Sequence, residues 1–319
     1  MGANRDKPDL WKKDILSSVD FYNTWFMKFA PKAFRATRID TTRQVVAALK
    51  AASNLTEITP EVLMKKPDIL QVLRMSTCPP IARDRLIGLA GLSKNLVFSM
   101  ENNNLLPKRM RRDELLTQLK RIGGIIKEMA DPDIFVWLQR NDMATEEEVN
   151  RAATVVADRL CGAVADPIIR NEQERRQLSV IRQWLEERGY QQIDTGQARQ
   201  ITDMPKGTFS FRLNVPVSLE GGKRINITID AVIMSKTAKS GELPLLIEAK
   251  SAGDFTNVNK RRKEEAIKML QLRKTYGDKI VFNLFLCGYF DSGYLGYEAA
   301  EGIDWVWEHR VDDLELFGI

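Results

Sequence analysis

The chain has 319 residues, 44% hydrophobic and 29% charged, with a formal net charge of +5; this composition supports a sizeable core and excludes extensive disorder. A lone histidine, His309, and three dispersed cysteines, Cys78, Cys161 and Cys287, exclude HExxH metalloproteases, cysteine-rich zinc sites, disulfide frameworks and most Ser-His or Cys-His hydrolases. No apolar run approaches the roughly 18–20 residues that span a bilayer, and the opening MGANRDKPDLWKKD has no signal-peptide core, so a cytoplasmic protein with no membrane partner is expected.

The first half predicts helices. Between residues 10 and 30, Trp11, Ile15, Val19, Tyr22, Phe26 and Phe29 recur at three- and four-residue steps, one apolar helical face that Pro31 is expected to end. This aromatic stripe reads as core rather than as a stacking platform. Further helices are expected near residues 41–53, 60–74, 82–102 and 113–129, with Pro79-Pro80, Asn102-Asn103-Asn104 and Asp131-Pro132 as breaks. Lys108-Arg109-Met110-Arg111-Arg112 forms a basic cluster, either a surface loop or a DNA contact. Thr145 followed by Glu146, Glu147 and Glu148 reads as a capped helix start. Another helix is expected to open near Arg170 and Asn171 and to end at Gly189, a natural left-handed terminator.

Strands follow. In residues 208–220, Phe209, Phe211, Leu213, Val215, Val217 and Leu219 alternate strictly, and Pro216 marks an edge strand. Residues 224–234 turn Ile225, Ile227 and Ile229 one way and Asn226, Thr228 and Asp230 the other. Residues 244–250 set Leu246, Glu248 and Lys250 on one face and Leu245, Ile247 and Ala249 on the other. A charged helix near residues 257–276 precedes KIVFNLFLC, an apolar strand suited to a sheet interior. Trp305, Val306 and Trp307 alternate like a strand and should bury at least one indole. The fold expected is α/β: a helical N-terminal region, residues 1–150, followed by a mixed β-sheet core flanked by helices, residues 151–319.

Neither GxxxxGK[ST] nor GxGxxG occurs, so chemistry falls to carboxylates, lysines, hydroxyls and a metal. Asp230 nears the end of one strand, and eighteen positions later Glu248-Ala249-Lys250 ends the next. Glu248 and Lys250 share a face. If the strands pair, Asp230 lies beside Glu248, and two adjacent carboxylates repel unless a cation separates them. Mg²⁺ suits such oxygen ligands, and a lysine two residues on can orient an attacking water. These are the parts needed to hydrolyse a phosphodiester without histidine. A surface salt bridge at a sheet end is the bland alternative.

Asp230, then Glu248-x-Lys250, then a helix, resembles the PD-(D/E)xK nuclease superfamily, with Ile229 in place of the usual proline. More narrowly, LWKKDILSSVDFYNTWFMKFAPKAFR, PIIRNEQERRQL, IDAVIM…LIEAKSAGD and KRRKEEAIKMLQLR resemble the XamI family of type II restriction endonucleases over nearly the whole length. The resemblance implies a restriction-endonuclease-like fold and Mg²⁺-dependent cleavage of double-stranded DNA at a short palindrome. It implies Asp230 and Glu248 as metal ligands and Lys250 as the residue that positions water. Enzymes of this superfamily often carry a glutamate on the helix before the sheet; Glu174 is the candidate, Glu172 the spare, with Asn171 and Arg170 one helical step away toward DNA. Lys260, Arg261, Arg262 and Lys263 are expected to grip phosphates, although Glu264 and Glu265 partly cancel their charge on a solvated face. Ser251-Ala252-Gly253-Asp254 either lets a phosphate approach or is a simple turn. A homodimer cuts both strands of a palindrome economically, and a cognate DNA methyltransferase is expected as a functional partner outside any complex. The alternatives are a structure-specific repair or recombination nuclease of the same fold, a non-catalytic DNA-binding protein, and a carboxylate–lysine enzyme acting on a small molecule. No partner for His309 is evident, so it reads as structural or exposed.

Overall fold

A computed structural model describes residues 2–140, 142–194, 201–255 and 258–319, with the side chains of all these except 220 and 258–262. Two long helices dominate the chain. Helix α1 (Pro8–Ala51) runs through Pro31 instead of ending there, and α7 (Glu146–Glu187) runs through Pro167, joining the two helices expected around Thr145 and Asn171. A proline removes one backbone donor and frees the carbonyl four residues earlier. Met27 and Ala163 hold those positions, and both lie on exposed faces where water can satisfy the carbonyl.

Between them lie α2 (Pro60–Lys65), α3 (Leu70–Met75), α4 (Arg83–Ala90), α5 (Lys94–Asn103) and α6 (Arg112–Met129). Two helices expected as single pieces are broken. Pro67 forces Lys66 out of helical geometry between α2 and α3, and Gly91 takes a left-handed conformation after α4.

The chain divides into two units, Met1–Phe29 with Arg170–Ile319, and Ala30–Ile169. The division expected at residue 150 has no linker there, because that residue is inside α7. The unit Ala30–Ile169 is all helical around Leu49, Leu63, Leu70, Leu96, Ile122 and Phe135.

The other unit carries a six-stranded sheet of order β1 (Gln191–Gln192), β2 (Thr208–Ser218), β3 (Arg224–Met234), β4 (Leu245–Ala252), β5 (Val281–Gly288) and β6 (Asp304–Trp307). The pairs β2–β3 and β3–β4 are antiparallel; β1–β2, β4–β5 and β5–β6 are parallel. Helix α8 (Val258–Tyr276) links β4 to β5, and α9 (Ser292–Ala300) links β5 to β6. Strand β1 meets only Thr208 and Phe209, so among the described residues β2 is an edge strand at Pro216, as expected. Both Trp305 and Trp307 are buried.

Each face of the sheet has its own core. Met269 and Leu272 of α8 and Tyr294 and Leu295 of α9 pack over Leu246, Phe282, Leu284, Leu286 and Trp305. Leu178, Ile181 and Leu185 of α7 pack over Leu245, Ile247, Phe285 and Val306. The strict alternation in β2 does not build a single face. Phe209 and Phe211 pack on the α7 side, whereas Leu213, Val215 and Val217 pack on the α8 side. Strand β3 does the same: Ile229 lies on the α8 side, Ala231 and Ile233 on the α7 side. Both strands invert between residues 211 and 213 and between 229 and 231. Arg212, with φ +54°, sits at that inversion. Among the described residues, no helix is long and apolar enough to cross a membrane.

Candidate active site

The β3–β4 ladder pairs Ile233 with Leu245, Val232 with Leu246 and Ala231 with Ile247. One step further along that register, Asp230 stands opposite Glu248, on the same face of the sheet. The ladder stops there. The Asp230 carboxylate takes over by accepting the Ala249 N–H through Oδ2 at 2.9 Å. The alternation of β4 turns Glu248 and Lys250 toward α8, while Ala249 packs toward α7.

Glu248 is 5% exposed and meets two lysines. Its Oε1 lies 2.6 Å from Lys268 Nζ and 3.1 Å from Lys250 Nζ. Its Oε2 is buried without a hydrogen-bond partner among the described residues. Lys250 also approaches Glu265 Oε1 at 3.5 Å, and Glu265 Oε2 accepts the Tyr294 hydroxyl at 2.9 Å. Burial alone would lower the Lys250 pKa, but the charges of Glu248 and Glu265 outweigh it and hold the ammonium form. Asp230 is pushed up to about 6, first by burial and then by the charge of Glu248. Its bond to Ala249 and the charge of Lys250 oppose that rise, and Glu174 adds to it.

Two facing carboxylates, one strained by the other's charge and one with an orphaned buried oxygen, fit a divalent cation whose remaining positions are filled by water and substrate oxygens. Among the described residues, no group of three or more His, Cys, Asp or Glu side chains forms a ready-made metal cage.

Glu174 is in the body of α7 rather than in a first turn, because the helix starts at Glu146. Its Oε1 accepts from Arg212 at 2.6 Å. Glu172, the spare, is taken up by Arg175 at 2.6 Å. Arg170 and Asn171 are exposed on α7. Lys263 is exposed on α8, while the side chains of Lys260, Arg261 and Arg262 lie outside those described. The basic cluster Lys108–Arg112 precedes and begins α6, with its charged residues exposed. Gly253 makes room within the fold: a Cβ there would stand 2.8 Å from the Tyr22 hydroxyl. The aromatic stripe of α1 is divided, with Tyr22 buried and Phe26 exposed. His309 packs beside Trp307, where burial lowers its pKa.

Sequence reasoning missed Glu265, Lys268 and Arg212. Glu265, read as a solvated residue offsetting the basic run, is fully buried. Its spacing of three from Lys268 puts both on one helical face, a signal present in the sequence, but nothing there says that this face meets Glu248 and Lys250. Arg212 carries no sequence signal, since an arginine amid alternating apolar residues reads as an ordinary outward strand position.

A model of the family described as XamI restriction endonuclease matches residues 53–307. The chain is 54% identical over 315 residues to the type II restriction enzyme SalI of Streptomyces albus G, with 99% of each chain covered. Among solved structures, protein VC1899 from Vibrio cholerae is similar at 12% identity and a TM-score of 0.27; the match covers 87% of this chain and 55% of that one, so this chain spans little more than half its length.

Proposed function

Because the chain belongs to the XamI restriction endonuclease family and is a restriction endonuclease, we propose that Asp230, Glu248 and Lys250 form a PD-(D/E)xK catalytic centre that hydrolyses double-stranded DNA at a short palindrome with Mg²⁺. The observation that carries this reading is the end of the β3–β4 ladder, where Asp230 stands opposite Glu248 and Lys250 reaches over Glu248 to Glu265.

Asp230 and Glu248 would hold the cation. When bound, Mg²⁺ supplies positive charge against the phosphate oxygens and lowers the pKa of water. The protein's own residues do the rest. The Lys250 ammonium, clamped between Glu248 and Glu265, presents its remaining N–H to the attacking water and to the anionic phosphate. Glu265 and Tyr294 fix where that ammonium sits. Glu174 supports the cation site from α7. Lys260, Arg261, Arg262 and Lys263 hold the DNA backbone by charge. A two-fold homodimer supplies one such centre to each strand. The protein acts in the cytoplasm, with a DNA methyltransferase of matching specificity as its functional counterpart.

Incubation with phage DNA and Mg²⁺, followed by mapping of the ends, tests the reading. Fragments with sequence-defined ends are expected; nicks that follow DNA structure instead would favour a repair nuclease of the same fold. Lys250→Ala should bind DNA and fail to cut, and near-normal cutting by that variant would remove Lys250 from its role.

A further inference from the structure

Arg212 is a non-glycine residue in a left-handed conformation in the middle of a strand, a backbone state that a Cβ disfavours by crowding the carbonyl oxygen. The β2–β3 register pairs Phe211 with Ala231 and Leu213 with Ile229. Arg212 is therefore the cross-strand neighbour of Asp230, and both strands invert their faces at this pair. The guanidinium is led out of the ladder to Glu174 on α7, 2.6 Å away. The Arg212 side chain remains 63% exposed and that of Glu174 36%.

Among the described residues, the other cations beside the carboxylate pair are committed. Lys250 is held by Glu248 and Glu265, and Lys268 by Glu248, all within buried or half-buried surroundings. Releasing Lys250 would take the cation from the buried Glu265, and releasing Lys268 would leave the buried Glu248 one lysine in place of two. The Arg212–Glu174 pair is different. An exposed ion pair is a weak competitor in water, and a guanidinium offers a rigid fork of donors that matches two phosphate oxygens. We propose that Arg212 is a DNA phosphate-binding residue at the mouth of the site, held in readiness by Glu174 and surrendered by it to the backbone phosphate that approaches Asp230. The inference rests on the nuclease reading of Asp230, Glu248 and Lys250 for its catalytic consequence, but the contact itself is a property of Arg212.

Binding of the full-length protein to a duplex fragment of phage DNA, measured in EDTA over a range of NaCl concentrations, is the test. Arg212→Gln should weaken binding at every salt concentration and reduce the slope of log K against log[salt] by about one. Arg212→Gly should lose the same slope while melting at a higher temperature, because glycine accepts the left-handed backbone without strain; a residue needed only for the fold would not separate these two effects. Glu174→Gln should tighten binding several-fold by freeing the guanidinium, and should have no such effect when Arg212 is already Gln. In Mg²⁺, Arg212→Gln should cut at least tenfold more slowly, with Arg212→Lys between it and the parent. A slope unchanged in both Arg212→Gln and Arg212→Gly overturns the proposal. Failure of the parent protein to cut at defined ends would instead overturn the nuclease reading, and the slope in EDTA would still decide the contact.

Discussion

At the residue scale the site is a set of buried charges that satisfy one another incompletely. Among the described residues, Glu248 has two lysines on one oxygen and none on the other, and Asp230 is pushed up to about 6 by burial and by Glu248. Asp230→Asn should shift the Mg²⁺ dependence of cutting by an order of magnitude or more in concentration; an unchanged Mg²⁺ titration would remove Asp230 as a ligand. Behind the lysines, Glu298 is fully buried and pushed up to about 9, by burial first and then by the charge of Glu265. Its pKa in the fold lies above the ordinary carboxylate range, so the folded state favours the protonated form. The stability this confers is complete below about pH 4.5 and is lost as pH rises toward 9. Glu298→Gln should therefore flatten the fall in melting temperature between pH 5 and pH 8.5, and identical slopes for variant and parent would refute the raised pKa. The Glu248-x-Lys250 pair was legible because two residues apart on a strand means one face. Glu265, Lys268 and Glu298 were not, because their relation to that pair depends on how α8 and α9 lie over the sheet.

At the element scale, the strands followed their period-two patterns closely: β3 spans the same residues expected for it, and β2 ends two residues early. What alternation could not specify is which helix covers which side, since the pattern records burial and not the identity of the neighbour. The inversion at Arg212 and Asp230 follows from that, with Leu213 turned to the α8 core and Phe211 to the α7 core. Leu213→Ala should cost about 2–5 kcal/mol in denaturant unfolding, as a buried leucine does. Asn214→Ala, at an exposed neighbour, should stay within about 0.5 kcal/mol. Equal costs would mean that Leu213 does not lie in the core. Helix α1 passes through Pro31, where a stop was expected, because the proline removes a single hydrogen bond and the carbonyl it frees, on Met27, lies on an exposed face open to water.

At the scale of the whole molecule, the first 29 residues belong to the sheet unit although they are far from it in sequence. The amides of Ala3, Asn4 and Arg5 converge on the Asp304 carboxylate. Trp11 stacks edge-on against Trp305 at 5.4 Å, Ser18 accepts the Gly288 N–H at 2.8 Å, and Asp14 binds Arg310 at 2.9 Å. Removing residues 2–29 would strip Asp304 of the three amide donors, leaving it the Trp305 N–H, and would uncover Trp305, so the truncated protein should lose cooperative unfolding by calorimetry; a normal transition would show that the segment is dispensable. The sequence by itself determined the bounds of β3, the places of β2, β4 and β5 to within two residues, the helical character of the first half and the choice of an acid–acid–lysine set as the candidate site, because these depend on side-chain periodicity and spacing along one or two adjacent elements. Only the tertiary structure decided that the N-terminal segment joins the sheet, that α8 delivers Glu265 and Lys268 to Lys250 and Glu248, and that β2 twists Arg212 out beside Asp230. Those relations join residues tens to hundreds of positions apart, and they are set by which apolar faces pack together, information that no local pattern contains.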